Sequence, residues 1–196
     1  MNFWKVINSI FVRVVLFIEK LMTYIRLNAH GVHFESDIKI AGLIYVSNAG
    51  EIHISSGVKI NSTLFKNPIG VNRCSFATEK NAVIYIGKNV GMTSVVIYAK
   101  EEVIVGDNVF LGAGVKIYDT DFHSLEFKDR SELGDINAKS KKVILNEGCF
   151  IGSNATILKG VVVGSKSIVG AGSIVTTSIP ASEVWAGVPA RFIKKC

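Results

Sequence analysis

The sequence predicts an all-β solenoid, a stack of short parallel strands, and three observations support this. Apolar residues recur at every sixth position without a break: Leu145, Ile151, Ile157, Val163, Val169 and Val175. Small or thin residues recur between them at the same spacing: Cys149, Ala155, Val161, Ser167 and Ser173. Glycine directly follows three of the apolar residues: Gly152, Gly164 and Gly170. A helix would rotate every sixth residue to a new face, whereas a strand keeps even spacings on one side of its pleat.

The same spacing occurs earlier in the chain, in three shorter runs. The runs are Ile40, Val46, Ile52, Val58 and Leu64; then Ile86, Met92 and Tyr98; then Val105, Leu111 and Ile117. We expect these side chains to point inward, in about six coils altogether. A charged interruption, residues 118–142, then leaves the solenoid after Ile117. Loops of this length in compact domains are usually functional.

The N-terminal residues follow a helical period instead. Apolar residues alternate by four and three positions: Phe3, Ile7, Ile10, Val14, Phe17, Leu21 and Tyr24. The pattern predicts an amphipathic helix over residues 2–27, with Lys5, Arg13 and Lys20 on its polar side. Arg13 interrupts the apolar stretch that a membrane span requires. Two interpretations stay open: the helix packs on the solenoid end or on a second subunit, or it lies in a membrane interface with its basic side toward anionic headgroups.

The chain is therefore expected to have three parts. Residues 1–30 hold the helix, residues 31–180 the solenoid, and residues 181–196 a closing segment that caps the last coil. The net charge is +6, but no basic run or nucleic-acid-binding signature accompanies it, so no nucleic-acid partner is expected. Three cysteines without metal-binding spacing argue against a disulfide framework. We expect a cytoplasmic protein, with the inner face of the membrane as the alternative location.

The repeat resembles the hexapeptide repeat of the left-handed parallel β-helix acyltransferases. The resemblance covers residues 38–195 and implies triangular coils of three hexapeptides, left-handed winding and a homotrimer with active sites between subunits. The loop, which opens with the letters YDTDFHSLEFKDR, is similar to that of the sugar-acetylating branch, which includes the maltose and galactoside acetyltransferases. This implies transfer of an acetyl group from acetyl-coenzyme A to a hydroxyl of a sugar or glycan, in a surface polysaccharide or its precursor.

The predicted catalytic residue is His123, at the mouth of the loop. A sugar hydroxyl attacks a thioester well only while a base removes its proton, and imidazole suits this role. As in that branch, His123 follows Thr120 and precedes an arginine, Arg130, by seven residues. The resemblance implies that Asp121, Arg130 and Thr93 contact the acceptor, and Asp121 is also a candidate to orient the imidazole. Because no serine or cysteine lies in a nucleophile-elbow motif, we expect direct transfer without an acyl-enzyme.

The resemblance also implies a coenzyme site between two subunits, along the last coils. Its residues would be Phe150, Ser153, Ala171, Thr176, Arg191 and Lys194. Arg191 and Lys194 match basic residues near the coenzyme phosphates, where charge-assisted hydrogen bonds are strong. Thr177 stands where relatives often carry lysine, and Thr93 where galactoside-type relatives carry asparagine. One phosphate contact and the acceptor contacts should therefore differ.

Three other functions would suit this fold class. An N-acetyltransferase acting on an amino sugar nucleotide or a xenobiotic amine remains open, because His123 would serve either acceptor. A metal enzyme of the γ-carbonic anhydrase type needs three histidines from neighbouring coils, and His53 and His123 do not supply them, so no metal is expected. A non-catalytic scaffold is disfavoured by the histidine at the loop mouth.

Overall fold

The computed structural model describes residues 3–65, 72–132 and 137–196. One long helix, α1 (Phe3–Ala29), precedes the strands, and a short helix, α2 (Phe127–Glu132), lies in the long loop. The strands before this loop are β1 (His33–Phe34), β2 (Lys39–Gly42), β3 (Tyr45–Asn48), β4 (Glu51–Ile54), β5 (Lys59–Ser62), β6 (Ser75–Thr78), β7 (Val83–Ile86), β8 (Gly91–Thr93), β9 (Val96–Ala99), β10 (Glu102–Val105), β11 (Phe110–Leu111) and β12 (Lys116–Tyr118). The strands after it are β13 (Val143–Leu145), β14 (Phe150–Ile151), β15 (Thr156–Ile157), β16 (Val162–Val163), β17 (Ile168–Val169), β18 (Ile174–Val175), β19 (Glu183–Gly187) and β20 (Ala190–Lys195).

The strands form three sheets, one on each side of a triangular prism. Sheet A has the order β1-β4-β7-β10-β13-β16, sheet B has β2-β5-β8-β11-β14-β17-β19-β20, and sheet C has β3-β6-β9-β12-β15-β18. Apart from the β19–β20 pair, all neighbouring strands are parallel. The chain visits sheets A, B and C in turn, six times. The predicted parallel β-helix is thus confirmed.

The strict run after the loop folds as predicted. Leu145 pairs with Val163 and Ile157 with Val175, eighteen positions on in each case, so three hexapeptides make one coil. All six aliphatic residues of the run are fully buried, and the small residues between them are buried at the corners. Even spacing keeps every ladder side chain on the inner side of its sheet.

The earlier coils are less regular, and two predicted inward positions are wrong. Leu64 is exposed, because β5 ends at Ser62 and residues 63–65 lie outside any strand. Tyr98 lies on the outer side of sheet C, and Ile97 takes the buried position. The corner before this strand has one residue fewer than the corner of a regular hexapeptide repeat. Ser94 makes that corner with a φ of 52°, in the left-handed region.

Helix α1 covers the first coil with its C-terminal half. Leu27 is fully buried, and the Thr23 hydroxyl donates to the Gly42 carbonyl at 2.9 Å. The same hydroxyl accepts the Ile44 N–H at 3.2 Å. The buried Glu19 carboxylate pairs with Arg73 at 2.7 Å. The predicted helix is therefore confirmed, with residue 2 outside the described part, and it packs on the solenoid end.

The closing segment adds two strands to the other end of the prism. Strand β19 pairs in parallel with β17, and β20 turns back antiparallel to it. Trp185 lies beside Val169 and packs against the core, and Ala190 is buried. This hairpin occupies the edge of sheet B that β17 would otherwise expose.

The inward orientation of the repeated apolar side chains can be tested at β15 with two neighbouring substitutions. We expect Ile157→Asp to abolish folding, because an unpaired buried charge costs several kcal/mol against a total stability of about 5–15 kcal/mol. Thr156→Asp places the same charge on the outer side of β15 and should melt within a few degrees of the parent chain. Thermal unfolding followed by circular dichroism distinguishes the two. A cooperative melt of the Ile157→Asp protein would contradict the assigned orientation.

Candidate active site

The long loop leaves the prism where the chain passes from sheet C to sheet A, called here the C–A corner. Asp119 is fully buried at this point. Its carboxylate accepts three backbone N–H groups, from Lys100 at 2.8 Å, Glu101 at 2.7 Å and Glu102 at 2.8 Å. Its carbonyl accepts the Lys141 N–H at 2.8 Å, where the loop returns. Burial raises the pKa of this carboxyl, and the three N–H groups oppose that shift.

An aromatic contact holds the next part of the loop against sheet C. The Phe122 ring lies 4.8 Å from the Tyr98 ring and 5.2 Å from the Tyr118 ring, between centroids. Phe122 has a φ of 62°, and the His123 N–H donates to the Asp121 carbonyl at 2.7 Å across it. This tight turn fixes the backbone from which the His123 side chain extends.

Asp121 is held by a lysine from the next coil. Its Oδ1 atom lies 2.7 Å from Nζ of Lys159, which follows β15 at the C–A corner. Within the described part of the chain, the buried Oδ2 atom has no hydrogen-bond partner. The ion pair ties the loop to the coil, and the second oxygen is available to orient a donor. Nothing in the sequence predicted Lys159.

His123 itself is exposed at the mouth of the loop. His53 occupies a different side of the prism, on the outer face of sheet A. Its ring stacks on His33 at 4.9 Å between centroids and hydrogen-bonds Glu51 at 3.0 Å. The structure therefore keeps the two histidines apart, as the sequence suggested.

Arg130 braces the loop after His123. Its Nη1 atom donates to the carbonyls of Ser124 at 2.7 Å and Leu125 at 2.8 Å. The Ser124 hydroxyl in turn donates to Asp129 at 3.1 Å. Arg130 thus has a positioning contact within the loop, while its contact with the acceptor stays a prediction.

A groove of about 580 Å³ runs along the outer face of sheet B. Phe110 and Phe150 occupy adjacent rungs in it, 58% and 47% exposed, and Thr93 lies at its edge. Lys39 and Lys59 line its other end. An aromatic floor with basic residues nearby suits a ligand that combines an apolar arm with phosphate groups.

Two of the predicted phosphate-binding residues continue this face. Arg191 is opposite Ala186, and Lys194 is opposite Val184, with an irregularity in the pairing between them. That irregularity brings both basic side chains to the same outer side of sheet B, whereas Lys195 lies on the other side. Both side chains are exposed.

The remaining predicted coenzyme residues are divided between two corners. Ser153 and Ala171 stack on successive coils at the corner between sheets B and C, called here the B–C corner. Thr176 follows β18 at the C–A corner, on the same column as Tyr118. One prism side, sheet C, separates the two corners. A single chain therefore does not bring His123 and the sheet B groove into one site.

Two cysteines are part of the core. Cys74 and Cys149 are fully buried, and burial raises the pKa of each thiol to about 11. Cys149 occupies the inward packing position that the repeat predicts. A buried thiol with a raised pKa is a poor nucleophile.

The anchor at the loop base can be tested with Asp119→Ala. Three part-buried backbone N–H groups would lose their acceptor, at about 1 kcal/mol for each. We expect a fall of about 3 kcal/mol or more in the free energy of unfolding, measured in urea. The control is Asp107→Ala, because Asp107 accepts one backbone N–H, from Lys88, at a more exposed corner. Equal losses for the two variants would contradict the special role of Asp119.

Comparison with known proteins places this fold in a family. The profile described as "Hexapeptide repeat of succinyl-transferase" matches residues 102–118 and 142–177. The putative lipopolysaccharide biosynthesis O-acetyl transferase WbbJ of Escherichia coli K12 is 30% identical over 159 residues, 77% of this chain and 75% of that protein. The galactoside O-acetyltransferase of Escherichia coli K12 is 35% identical over 113 residues, 57% of this chain and 54% of that protein.

Solved structures agree on the fold. A galactoside acetyltransferase in complex with coenzyme A has 28% identity and a TM-score of 0.54, over 71% of this chain and 65% of that one. A point mutant of AntD, an N-acyltransferase from Bacillus cereus, has 22% identity and a TM-score of 0.69, over 88% and 87% of the two chains. At that identity the second likeness concerns the fold alone. The chain belongs to the hexapeptide-repeat acetyltransferases and has their left-handed parallel β-helix.

Proposed function

We propose that this acetyltransferase transfers the acetyl group of acetyl-coenzyme A to a sugar hydroxyl, in a surface polysaccharide or its precursor. The observation that carries the proposal is an exposed histidine on a loop mouth whose backbone is fixed on both sides. Asp119, Phe122 and the Asp121–Lys159 pair fix it before His123, and Arg130 braces it after. The likeness to WbbJ, by name a putative lipopolysaccharide biosynthesis O-acetyl transferase, supports the choice of acceptor class.

In the proposed reaction His123 acts as a general base. The imidazole takes the proton of the acceptor hydroxyl while the hydroxyl oxygen bonds to the thioester carbonyl carbon. The carbon–sulfur bond then breaks, the acetyl ester forms, and the coenzyme thiolate leaves and takes up a proton. The fully buried Cys74 and Cys149 do not take part, which supports direct transfer.

The complete site requires a second copy of the chain. The loop residues lie at the C–A corner, and the groove with Phe150 and Arg191 belongs to sheet B. When two different surfaces of the same chain bind each other, the contact is head-to-tail, and it forms a ring if the rotation between copies closes. We propose a homotrimer in which the loop of one subunit faces sheet B of the next. Sheet A offers a further apolar surface that contact between subunits would cover. It is a half-buried column on the outer side of the sheet, formed by Ile104, Ile144 and Val162.

Release of free thiol from acetyl-coenzyme A tests the activity and its acceptor. The panel includes hexoses, nucleotide sugars, oligosaccharides and amino sugars, with an acceptor-free blank because Cys196 is exposed and reacts with thiol reagents. Nuclear magnetic resonance of the product distinguishes an ester from an amide. Turnover only with amines would replace the proposal with the N-acetyltransferase alternative.

The base assignment predicts a large loss of turnover in His123→Ala. A positioned general base contributes typically 10²–10⁴-fold, so kcat should fall by about that factor. The KM for acetyl-coenzyme A and the melting temperature should change little, because the side chain is exposed and remote from the core.

His53→Ala is the matched control, since His53 is on sheet A, where it stacks on His33 and hydrogen-bonds Glu51. It should keep most of the activity. If His123→Ala retained more than about a tenth of the turnover, the base assignment would be wrong.

The donor assignment predicts a separate kinetic effect. Replacing both Arg191 and Lys194 with alanine should raise the KM for acetyl-coenzyme A by about tenfold, since charge-assisted bonds to phosphates are lost. Turnover should hold, because such contacts are equal in the ground and transition states. Lys195→Ala, on the other side of β20, should leave KM unchanged. A fall in kcat at constant KM would contradict phosphate binding.

A further inference from the structure

Helix α1 presents its apolar face away from the protein. Ten large apolar side chains along it are exposed: Trp4, Ile7, Ile10, Phe11, Val14, Phe17, Ile18, Leu21, Met22 and Ile25. At 3.6 residues per turn they fall within an arc of about 140°. We call these side chains the apolar arc.

The face that packs on the solenoid is nearly opposite. Thr23 and Leu27, which contact the first coil, project about 150–170° from the centre of the apolar arc. Glu19, which pairs with Arg73, is also outside the arc. The helix therefore binds its own solenoid with a mixed face. The solenoid leaves the larger apolar face uncovered, which is uncommon for the surface of a monomeric protein.

The charges beside the arc are basic. Arg13 and Lys20 are exposed and project within about 60° of its margin. The one acidic residue of the helix, Glu19, is buried in its pair with Arg73. The described side chains therefore offer solvent a basic margin, while that of Lys5 is outside the described part. The whole chain carries a net charge of +6.

The occupant that fits both features is an anionic membrane surface. An interfacial helix buries an apolar face at the boundary of headgroups and acyl chains, with basic residues beside it at the headgroups. Trp4, Phe11 and Phe17 add the aromatic rings that favour this depth. No described helix is long and apolar enough to cross a membrane. Packing identical helices arc to arc would instead bring their basic margins together.

We propose that helix α1 docks the enzyme on anionic bilayers with the apolar arc in the membrane interface. The helix is about 40 Å long and lies along the surface, with the solenoid held above it by Thr23 and Leu27. The proposal concerns binding alone and does not depend on which acceptor the enzyme uses.

Flotation of the full chain with vesicles tests the proposal. The vesicles contain phosphatidylcholine alone, or with a quarter of phosphatidylglycerol. We expect binding to the anionic vesicles, weaker at high salt because screening removes the basic contribution. Phe17→Asp, at a site 69% exposed, should lower the partition coefficient by about tenfold or more. Ser9→Asp adds the same charge outside the arc, at an exposed position, and should lower it far less.

Two further readouts make each outcome decisive. Trp4 should be quenched by lipids brominated on their acyl chains, and a chain with Trp185→Phe isolates its signal. Light scattering without lipid should give the same mass for the wild-type chain and for the Phe17→Asp chain. A wild-type chain that ignores anionic vesicles at low salt would overturn the proposal, as would equal binding by the two aspartate variants. A lower mass for Phe17→Asp would overturn it too, because a second copy would then cover the arc.

Discussion

The backbone hydrogen bonds between successive coils are the constraint on which the rest of this structure depends. The Lys116 N–H donates to the Ala155 carbonyl at 3.0 Å, and the Phe150 N–H to the Ser167 carbonyl at 3.0 Å. Bonds of this kind stack like residues in columns, so one misplaced residue in a strand would turn an apolar side chain outward. Extra residues are therefore accommodated at corners, and the long loop occupies one of them. The catalytic residue that we propose, His123, is in this loop, where the strand stacking tolerates extra residues.

A solenoid must also protect its two ends, and this chain does so in different ways. The β19–β20 hairpin pairs with sheet B and seals the last coil with Trp185. Helix α1 seals the first coil with the turns of its C-terminal half, through Thr23 and Leu27. The capping requirement explains why those turns are buried but does not explain the apolar residues on the opposite face. Because the buried face and the exposed apolar face of the helix are separate, a second role for the helix is compatible with the fold.

The loop combines exposure with a fixed backbone. Asp119 is clamped by three N–H groups, Phe122 rests on two tyrosines, and Lys159 holds Asp121 from the next coil. A side chain that extends from such a backbone starts from a fixed position without being buried, which suits the base role that we propose for His123. The sheet B groove, where we propose that the coenzyme binds, is on a different side of the prism. In the trimer that we propose, the rigid loop of one subunit completes the site on sheet B of the next subunit.

The sequence by itself determined the parallel solenoid, the N-terminal helix, and the loop after Ile117 with His123 at its mouth. These follow from periodicity, which records whether each side chain points inward and is a local property of the chain. The same reasoning failed at Leu64 and Tyr98, because corner length depends on backbone dihedral angles such as that of Ser94. Only the tertiary structure decided that Asp121 meets Lys159, that Arg130 turns back on its own loop, and that the predicted site residues divide between two corners. These arrangements depend on how the coils stack and how the loop closes, and no spacing pattern in the chain encodes them.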